Sequence, residues 1–283
     1  MTCMNNAGRN CRENVTASSP AAQMLHLLPF LLLNANALSE CQKSIIFQTT
    51  NVFENSQVGF AYDYCEQLHD GRGITSGIIG FTSGTGDAYQ VVSAYSKHRA
   101  YRNEFDKYLL PMQKLAAKNS MTDSTVGLSG YCRKWIQASW SPVFRAIQRK
   151  ALESMYFTPS FDLAKLIGLQ SAVSLGQFYD CAIQHGIDGP DSLTHIAAMV
   201  KLPTPASGGD EIQWIISFMQ HRKYILCHPQ EAATQQVWCA SVSRVNSYMY
   251  IAGHNPANFT TEIESLDNDG SLMDIKCDTA MLL

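Results

Sequence analysis

The sequence predicts an α+β fold in which helices dominate and a single small, glycine-rich sheet is present. Hydrophobic residues make up 46% of the 283 residues and charged residues 16%, which supplies enough apolar side chain for a sizeable core. Apolar residues recur at helical spacing, most clearly at Ile212, Ile215, Ile216 and Met219. Residues 71–86 are instead rich in Gly, Ser, Thr and β-branched side chains, a composition that favours a short bent hairpin or a three-stranded sheet.

The N-terminal residues 1–37 have the pattern of a secretory signal peptide. Two arginines precede an apolar run of about ten residues that begins at Met24, and Ala35-Asn-Ala37 supplies a small-x-small cleavage site. A short buried helix is the alternative interpretation of this run. We expect the leader to be removed, which leaves residues 38–283 as a single domain of a secreted, extracellular protein.

After the leader, the sequence predicts a helix that lies between two acidic residues, Glu54 and Asp70. The apolar spacing from Val58 to Leu68 predicts a helix that begins after Glu54 and ends near Asp70, where the glycine-rich sheet starts. A helix of about fifteen residues spans roughly 22 Å, so the chain must fold back for both carboxylates to face one cleft. Two carboxylates in unlike settings across a cleft are typical of glycoside hydrolysis.

Further helices are predicted in the second half of the chain. One runs from about Ser160 to His185, where Gly186 ends it. Another begins after Asp210, because Gln213 follows three residues later in a capping-box pattern. Residues 191–194 and 230–249 also have helical patterns.

The nine cysteines bear on metal binding and on the compartment. None forms a C-x-x-C pair or a Cys/His cluster at zinc spacing, so we expect no metal site. Seven remain after the leader, an odd number, so at least one is free or paired between chains. Cys41 and Cys277 lie near the two ends and are candidates for a bond, whereas Cys65 and Cys181 fit apolar helical patterns as plain core residues.

The charge of the chain is small but unevenly distributed. The chain has 21 Lys and Arg against 24 Asp and Glu, a net charge of −3, which argues against a general nucleic-acid-binding protein. No apolar run reaches the roughly 18–20 residues that a membrane span needs. Residues 51–90 have five acids and one base and so a charge of −4, which would attract a cationic ligand: Glu54, Asp63, Glu66, Asp70 and Asp87, with Arg72.

Signatures of other chemistries are missing from the sequence. Gly84-Thr-Gly86 has no G-x-x-x-x-G-K-[ST] context, and H-E-x-x-H and G-x-S-x-G are absent. We therefore expect no nucleotide, metal or other cofactor.

The string from Asp70 to Asp87, DGRGITSGIIGFTSGTGD, together with Glu54 sixteen residues upstream, resembles glycoside hydrolase family 46, the endo-acting chitosanases. Its six glycines in register make this a specific resemblance. The similarity extends over about residues 45–255, through these further positions: Gly176–Asp180, His185-Gly186, Thr204–Glu211, Arg222 and, more weakly, Arg244-Val245.

This resemblance implies a fold and a set of residue roles. The fold would be lysozyme-like, with two mostly helical lobes and the small sheet beside the cleft. Glu54 would be the general acid, Asp70 the general base of an inverting reaction, and Thr75 would help to hold the attacking water. Arg222 would be the single charge partner of Asp180. The resemblance implies sugar-binding roles for these residues: Tyr64, Arg72, Ile79, Gly80, Thr85 and Asp87, the last binding a glucosamine ammonium.

The resemblance therefore implies a secreted, monomeric endo-chitosanase. Its partner would be chitosan or glucosamine oligosaccharides, with no nucleic acid, no membrane span, no metal and no cofactor. Two alternatives remain open from the sequence: a lysozyme-like hydrolase of chitin or peptidoglycan, and a catalytically silent chitosan-binding protein.

Overall fold

A computed structural model describes residues 38–99, 103–117, 122–254 and 259–282, which belong to one compact unit. The signal peptide expected at residues 1–37 lies outside the described residues. Across these ranges the protein is predominantly helical with two small antiparallel sheets, which confirms the predicted fold class, although a single sheet was expected. No helix in the described ranges is long and apolar enough to cross a membrane.

The helices and strands follow one another in a fixed order along the chain. The α-helices are α1 (Glu40–Asn55), α2 (Asp87–His98), α3 (Asp106–Ala116), α4 (Tyr131–Ala138), α5 (Pro142–Leu152), α6 (Thr158–Ile167), α7 (Ala172–His185), α8 (Leu193–Met199), α9 (Glu211–Cys227), α10 (Gln235–Ala240) and α11 (Val242–His254). The strands are β1 (Cys65–Gln67), β2 (Ile74–Ser76), β3 (Phe81–Thr82), β4 (Glu262–Leu266) and β5 (Leu272–Lys276).

Helix α1 carries Glu54 at its C-terminal end. It begins at a capping box formed by Ser39 and Gln42 and is buried from Ser44 to Val52, where it packs against α7 and the C-terminal hairpin β4–β5. It ends because Ser56 adopts the left-handed conformation, at φ 54°.

The prediction of a helix after Glu54 is therefore wrong. Residues 56–64 form a loop, and the chain then enters β1 rather than continuing as a helix. Val58 and Leu68 are 37% and 45% exposed, so the apolar spacing in this stretch does not mark one buried face.

The glycine-rich region forms the antiparallel hairpin β2–β3, one of the two predicted alternatives. Strand β1, which lies wholly before this region, completes a three-stranded sheet in the order β1-β2-β3. Thr75 at the centre of β2 faces Glu66 on one side and Thr82 on the other. The β2–β3 turn requires positive φ at Gly77 and Gly80, a conformation that glycine adopts without strain.

Disulfides fasten three parts of the fold. Cys41–Cys277 joins the start of α1 to the chain after β5, and Cys227–Cys239 joins the end of α9 to α10. Cys65–Cys132 joins β1 to α4, so the prediction of Cys65 as a plain core residue is wrong. Cys181, in contrast, is a free and buried core residue, as predicted.

The core of the described residues contains, among other aromatic contacts, two clusters of tilted, stacked and edge-on rings. One lies beside the sheet among α2, α4 and α5, and the other lies between α7 and α9. The first is formed by Tyr95, Phe105, Tyr131, Trp135 and Phe144, and the second by Phe178, Trp214 and Phe218.

The long helix predicted from Ser160 to His185 is divided into α6 and α7. Gly168 ends α6 with φ 91°, and a Cβ there would lie 2.4 Å from the backbone nitrogen of Ala206. The helix predicted after Asp210 is α9. The Asp210 side chain accepts a hydrogen bond from the backbone N–H of Gln213 in its first turn, as the capping pattern predicted. The helical region from residue 230 is interrupted between α10 and α11 at Ser241.

Candidate active site

Glu54 lies at the end of α1, on a segment fixed from two sides. Its Oε1 accepts a hydrogen bond from Nη1 of Arg244 on α11 at 2.8 Å, and its side chain is 26% exposed. The carbonyls of the two preceding residues, Val52 and Phe53, accept bonds from Nδ2 of Asn268 in the β4–β5 turn at 3.3 and 3.4 Å. The C-terminal hairpin thus holds the backbone from which Glu54 projects.

Asp70 lies in the exposed turn between β1 and β2 and binds Arg72. Its Oδ1 accepts the backbone N–H of Arg72 at 3.1 Å, and its Oδ2 accepts Nε and Nη2 at 3.0 and 2.6 Å. Partial burial alone would raise the pKa of Asp70, but the hydrogen bonds and charge of Arg72 outweigh it and hold this pKa below its ordinary value. Asp70 is therefore ionised at neutral and mildly acidic pH.

A cleft runs past Glu54 as two adjoining cavities of about 490 and 420 Å³. Both cavities are lined by four of the predicted site residues: Glu54, Arg72, Ile79 and Gly80. Tyr64 and Thr75 line the first cavity, and Thr85 and Asp87 line the second. The structure thus brings eight of the nine predicted residues to the cleft; Asp70 is not part of either lining and is joined to it through Arg72.

Thr75 lines the first cavity, and its hydroxyl oxygen is buried. The residue is 5% exposed, and its Oγ1 has no hydrogen-bond partner among the described residues. A buried hydroxyl without a partner costs about 1–3 kcal/mol, so a bound water or sugar hydroxyl at this position is favoured.

Asp87 is the first residue of α2 and is half-buried at the second cavity. Its Oδ1 accepts hydrogen bonds from the Thr82 N–H at 2.7 Å, the Thr85 hydroxyl at 2.8 Å and the Ala88 N–H at 2.8 Å. Burial raises the pKa of Asp87, and the Thr85 hydrogen bond offsets this in part. These contacts all use one oxygen, which leaves Oδ2 for a ligand.

Behind Glu54 lies a buried cluster centred on Asp180, which is 0% exposed. Arg244 donates to its two oxygens at 2.7 and 3.1 Å, and Arg222 lies 2.8 Å from Oδ2. The expectation that Arg222 is the only charge partner is therefore wrong, because α11 brings Arg244 to the same carboxylate. Burial alone would raise the pKa of Asp180, but the two arginines outweigh it and lower this pKa.

The charge of the cleft differs from what the −4 segment suggested. The lining of the two cavities contains two acidic side chains, Glu54 and Asp87, and two basic ones, Arg72 and Arg244. Asp63 and Glu66 are exposed and line neither cavity. The charges of the lining balance because Arg244 adds a positive charge, and this residue lies 190 positions from Glu54 in the sequence.

Several lining residues have no role that the sequence predicts, because they come from the distant second half of the chain. No spacing rule relates these positions to Glu54, and only Arg244 shows a weak family similarity. They are Tyr156, Ile183, Gln184, Val237, Trp238, Ser241 and Arg244. Within the described ranges, no group of three His, Cys, Asp or Glu side chains could hold a metal ion.

Comparisons with known proteins identify relatives over most of the chain. The family model of glycosyl hydrolase family 46 matches residues 48–255. The chitosanase of Bacillus subtilis strain 168 is 35% identical over 242 residues, 83% of this chain and 85% of the relative. That of Streptomyces sp. strain N174 is 36% identical over 189 residues, 64% of this chain and 66% of the relative.

Two solved structures have the same fold. The Gynuella sunshinyii chitosanase in complex with chitotetraose has a TM-score of 0.78 and 34% identity, covering 86% of this chain and 100% of the other. A mutant chitosanase of Bacillus subtilis MY002 complexed with six glucosamine units has a TM-score of 0.77 and 34% identity, covering 85% and 100%. The lysozyme-like architecture implied by the sequence resemblance is confirmed. With a family match over most of its length and a shared fold, the chain belongs to glycosyl hydrolase family 46.

Proposed function

We propose that this chain is a secreted endo-chitosanase that hydrolyses β-1,4 linkages between glucosamine units with inversion of configuration. The observation that carries this proposal is a cleft that extends on both sides of Glu54 and Arg72, with Asp70 bound to Arg72. The relatives named above are chitosanases, and two solved neighbours were determined with chitosan oligosaccharides. Sugar units can bind on both sides of the bond to be cleaved, as an endo-acting enzyme requires.

Glu54 acts as the general acid in this mechanism. Its carboxyl group donates a proton to the glycosidic oxygen as the bond breaks. Arg244 holds Oε1 at 2.8 Å and is itself fixed by the buried Asp180, so the carboxyl group has one defined orientation. The second oxygen, Oε2, is free to face the leaving group.

Asp70 acts as the general base. A carboxylate has about four lone-pair positions, and Arg72 occupies two on Oδ2 and one on Oδ1. The remaining position on Oδ1 can accept a hydrogen bond from the attacking water. Thr75, which lines the first cavity and whose buried Oγ1 has no hydrogen-bond partner among the described residues, supplies a second contact to that water.

Asp87 supplies the recognition of a cationic sugar. Its Oδ2 is free within the second cavity, and a glucosamine ammonium there would form a charge-assisted hydrogen bond. Neutral N-acetylglucosamine could offer only an amide N–H here and would form no ion pair, which favours chitosan over chitin as the substrate.

The test is hydrolysis of soluble chitosan followed by anomer-resolved NMR of the first products. We expect the α-anomer to form first from the β-linked polymer, whereas initial release of the β-anomer would contradict inversion. Glu54→Gln and Asp70→Asn should each abolish release of reducing ends while the proteins remain folded. Asp63→Asn is the matched control, because Asp63 is exposed and lines neither cavity.

The same assay separates the alternative functions. Faster turnover of chitin or peptidoglycan than of chitosan would identify a different substrate. Binding of chitosan without turnover of any of the three polymers would identify a silent binding protein.

Secretion is supported by the three disulfides among the described residues, because such bonds persist in oxidising compartments. N-terminal sequencing of the protein recovered from the medium should begin at Leu38. Retention of residues 1–37 on the exported protein would contradict removal of the leader.

A further inference from the structure

The second cavity has a wall that the family resemblance did not assign. It is formed by four residues from α7, α10 and the junction between α10 and α11, here called the Trp238 wall: Gln184, Val237, Trp238 and Ser241. The same cavity is lined by Asp87 and Thr85 from the first half of the chain. A ligand in this cavity therefore meets an acidic residue and a large aromatic side chain.

The Trp238 side chain is fixed before any ligand binds. The adjacent Cys239 is bonded to Cys227 at the end of α9, and the His185 ring packs against the indole with 5.0 Å between ring centroids. The Ser241 hydroxyl donates to the Trp238 carbonyl at 2.6 Å and accepts from Nε2 of Gln184 at 2.6 Å. A side chain ordered in this way loses little conformational entropy on binding.

The position of this wall is unusual for apolar side chains. Val237 is 73% exposed although it is a large hydrophobic residue, and Trp238 is only partly buried. Sugar rings have apolar C–H faces that pack on aromatic rings and polar edges that form hydrogen bonds. The Trp238 wall offers both types of contact, since the polar Gln184 and Ser241 side chains lie beside the indole.

The charge near the indole also suits a cationic sugar. An ammonium group is attracted to the face of an aromatic ring, and tryptophan is the strongest such partner. A protonated His185 behind the ring would oppose this attraction. Burial, assisted by the charge of Arg222, lowers the pKa of His185 to about 3, so the imidazole stays neutral where glucosamine is protonated.

We propose that Trp238, held in place by the Cys227–Cys239 disulfide, is a binding platform for a glucosamine unit in the Asp87 half of the cleft. Trp238 increases the affinity for the polymer chain and leaves the rate of bond cleavage unchanged. This inference rests on the proposed chitosan-hydrolysing function and adds a residue that determines substrate affinity.

The first test is steady-state hydrolysis of glucosamine hexasaccharide. Trp238→Ala should raise KM about tenfold with kcat within about twofold, because the platform binds ground state and transition state alike. Trp238→Phe, which keeps a smaller ring and guards against misfolding of the alanine variant, should raise KM about threefold. Trp140→Ala is the matched control, since Trp140 is 79% exposed and lines neither cavity. An unchanged KM in folded Trp238→Ala would overturn the platform.

The disulfide is tested by the paired substitution Cys227→Ser and Cys239→Ser. We expect KM to rise several-fold with kcat retained, because α10, which carries Trp238, is no longer bonded to the end of α9. If KM is unchanged in this protein, the positioning role of the disulfide is overturned.

A binding measurement separates this inference from the proposed function. Trp135 and Trp214 are buried, so in Trp140→Phe/Glu54→Gln protein the indole that can respond to an added sugar is Trp238. Glucosamine hexasaccharide should change the tryptophan fluorescence saturably, and this change should be lost with Trp238→Phe. If the Glu54→Gln protein gives the signal but the protein with Glu54 intact hydrolyses no chitosan, the platform stands and the proposed function fails. If the protein with Glu54 intact hydrolyses chitosan but the Glu54→Gln protein gives no signal, the proposed function stands and the platform is overturned.

Discussion

Replacing Arg244 by lysine tests whether the buried cluster positions Glu54. The guanidinium uses Nε and Nη2 on Asp180 and Nη1 on Glu54, so one side chain orients two carboxylates. A lysine retains the positive charge but has a single ammonium group, which cannot reproduce this fork. We expect the lysine to remain with the buried Asp180 and to release Glu54.

The magnitude follows from the three hydrogen bonds that Arg244 makes. Two are lost in the lysine variant, one to Asp180 and one to Glu54. Glu54 is 26% exposed, so water replaces its lost bond, whereas Asp180 is 0% exposed and has no such replacement. One lost charge-assisted bond in the interior corresponds to about 2–3 kcal/mol of unfolding free energy. A misplaced general acid should lower kcat about 100-fold.

The assays are urea denaturation and kcat for chitosan at saturating substrate. Arg222→Lys is the matched control, because Arg222 contacts Asp180 and Gln184 but not Glu54. It should reduce stability to a similar degree with a much smaller fall in kcat. Equal losses of kcat in both variants would refute the positioning of Glu54 by Arg244.

Two further predictions concern pH and the loop that carries Arg72. The pKa of His185 is lowered to about 3 by burial and then by a neighbouring arginine, against about 6.5 unfolded, so stability falls as pH drops from about 6.5 to 3. His185→Gln should reduce the slope of the unfolding free energy against pH by up to about 1.4 kcal/mol per pH unit between about pH 3 and 6.5. An unchanged slope would contradict the buried neutral imidazole. A Cβ on Gly84 would lie 2.2 Å from the Thr122 carbonyl oxygen and 2.7 Å from that of Arg72. Gly84→Ala should therefore cost about 1–3 kcal/mol and lower kcat/KM at least tenfold, whereas Gly59→Ala, with open space around it, should change neither.

Local sequence patterns predicted the elements whose causes are local. The capping residues before α9 and the glycines of the β2–β3 hairpin act within a few positions of themselves, so the start of α9 and the hairpin were predicted correctly. The helix placed after Glu54 was wrong because apolar spacing in a loop and short strand resembles that of a helix. The break between α6 and α7 depends on Gly168 meeting Ala206, a contact that spacing does not encode.

The active-site residues also fall into a group that the sequence predicted and a group that only the tertiary structure showed. The glycine-rich string and Glu54 by themselves indicated the family and the fold, and they supply eight of the 21 residues that line the two cavities, because these residues lie within one continuous segment. The tertiary structure alone decided that Arg244 joins Asp180 to Glu54, that the charges in the lining balance, and that Trp238 lies at the second cavity. These features depend on the packing of α7, α10 and α11 against the first half of the chain. Contacts over 190 residues of sequence follow from that packing, and no local pattern carries them.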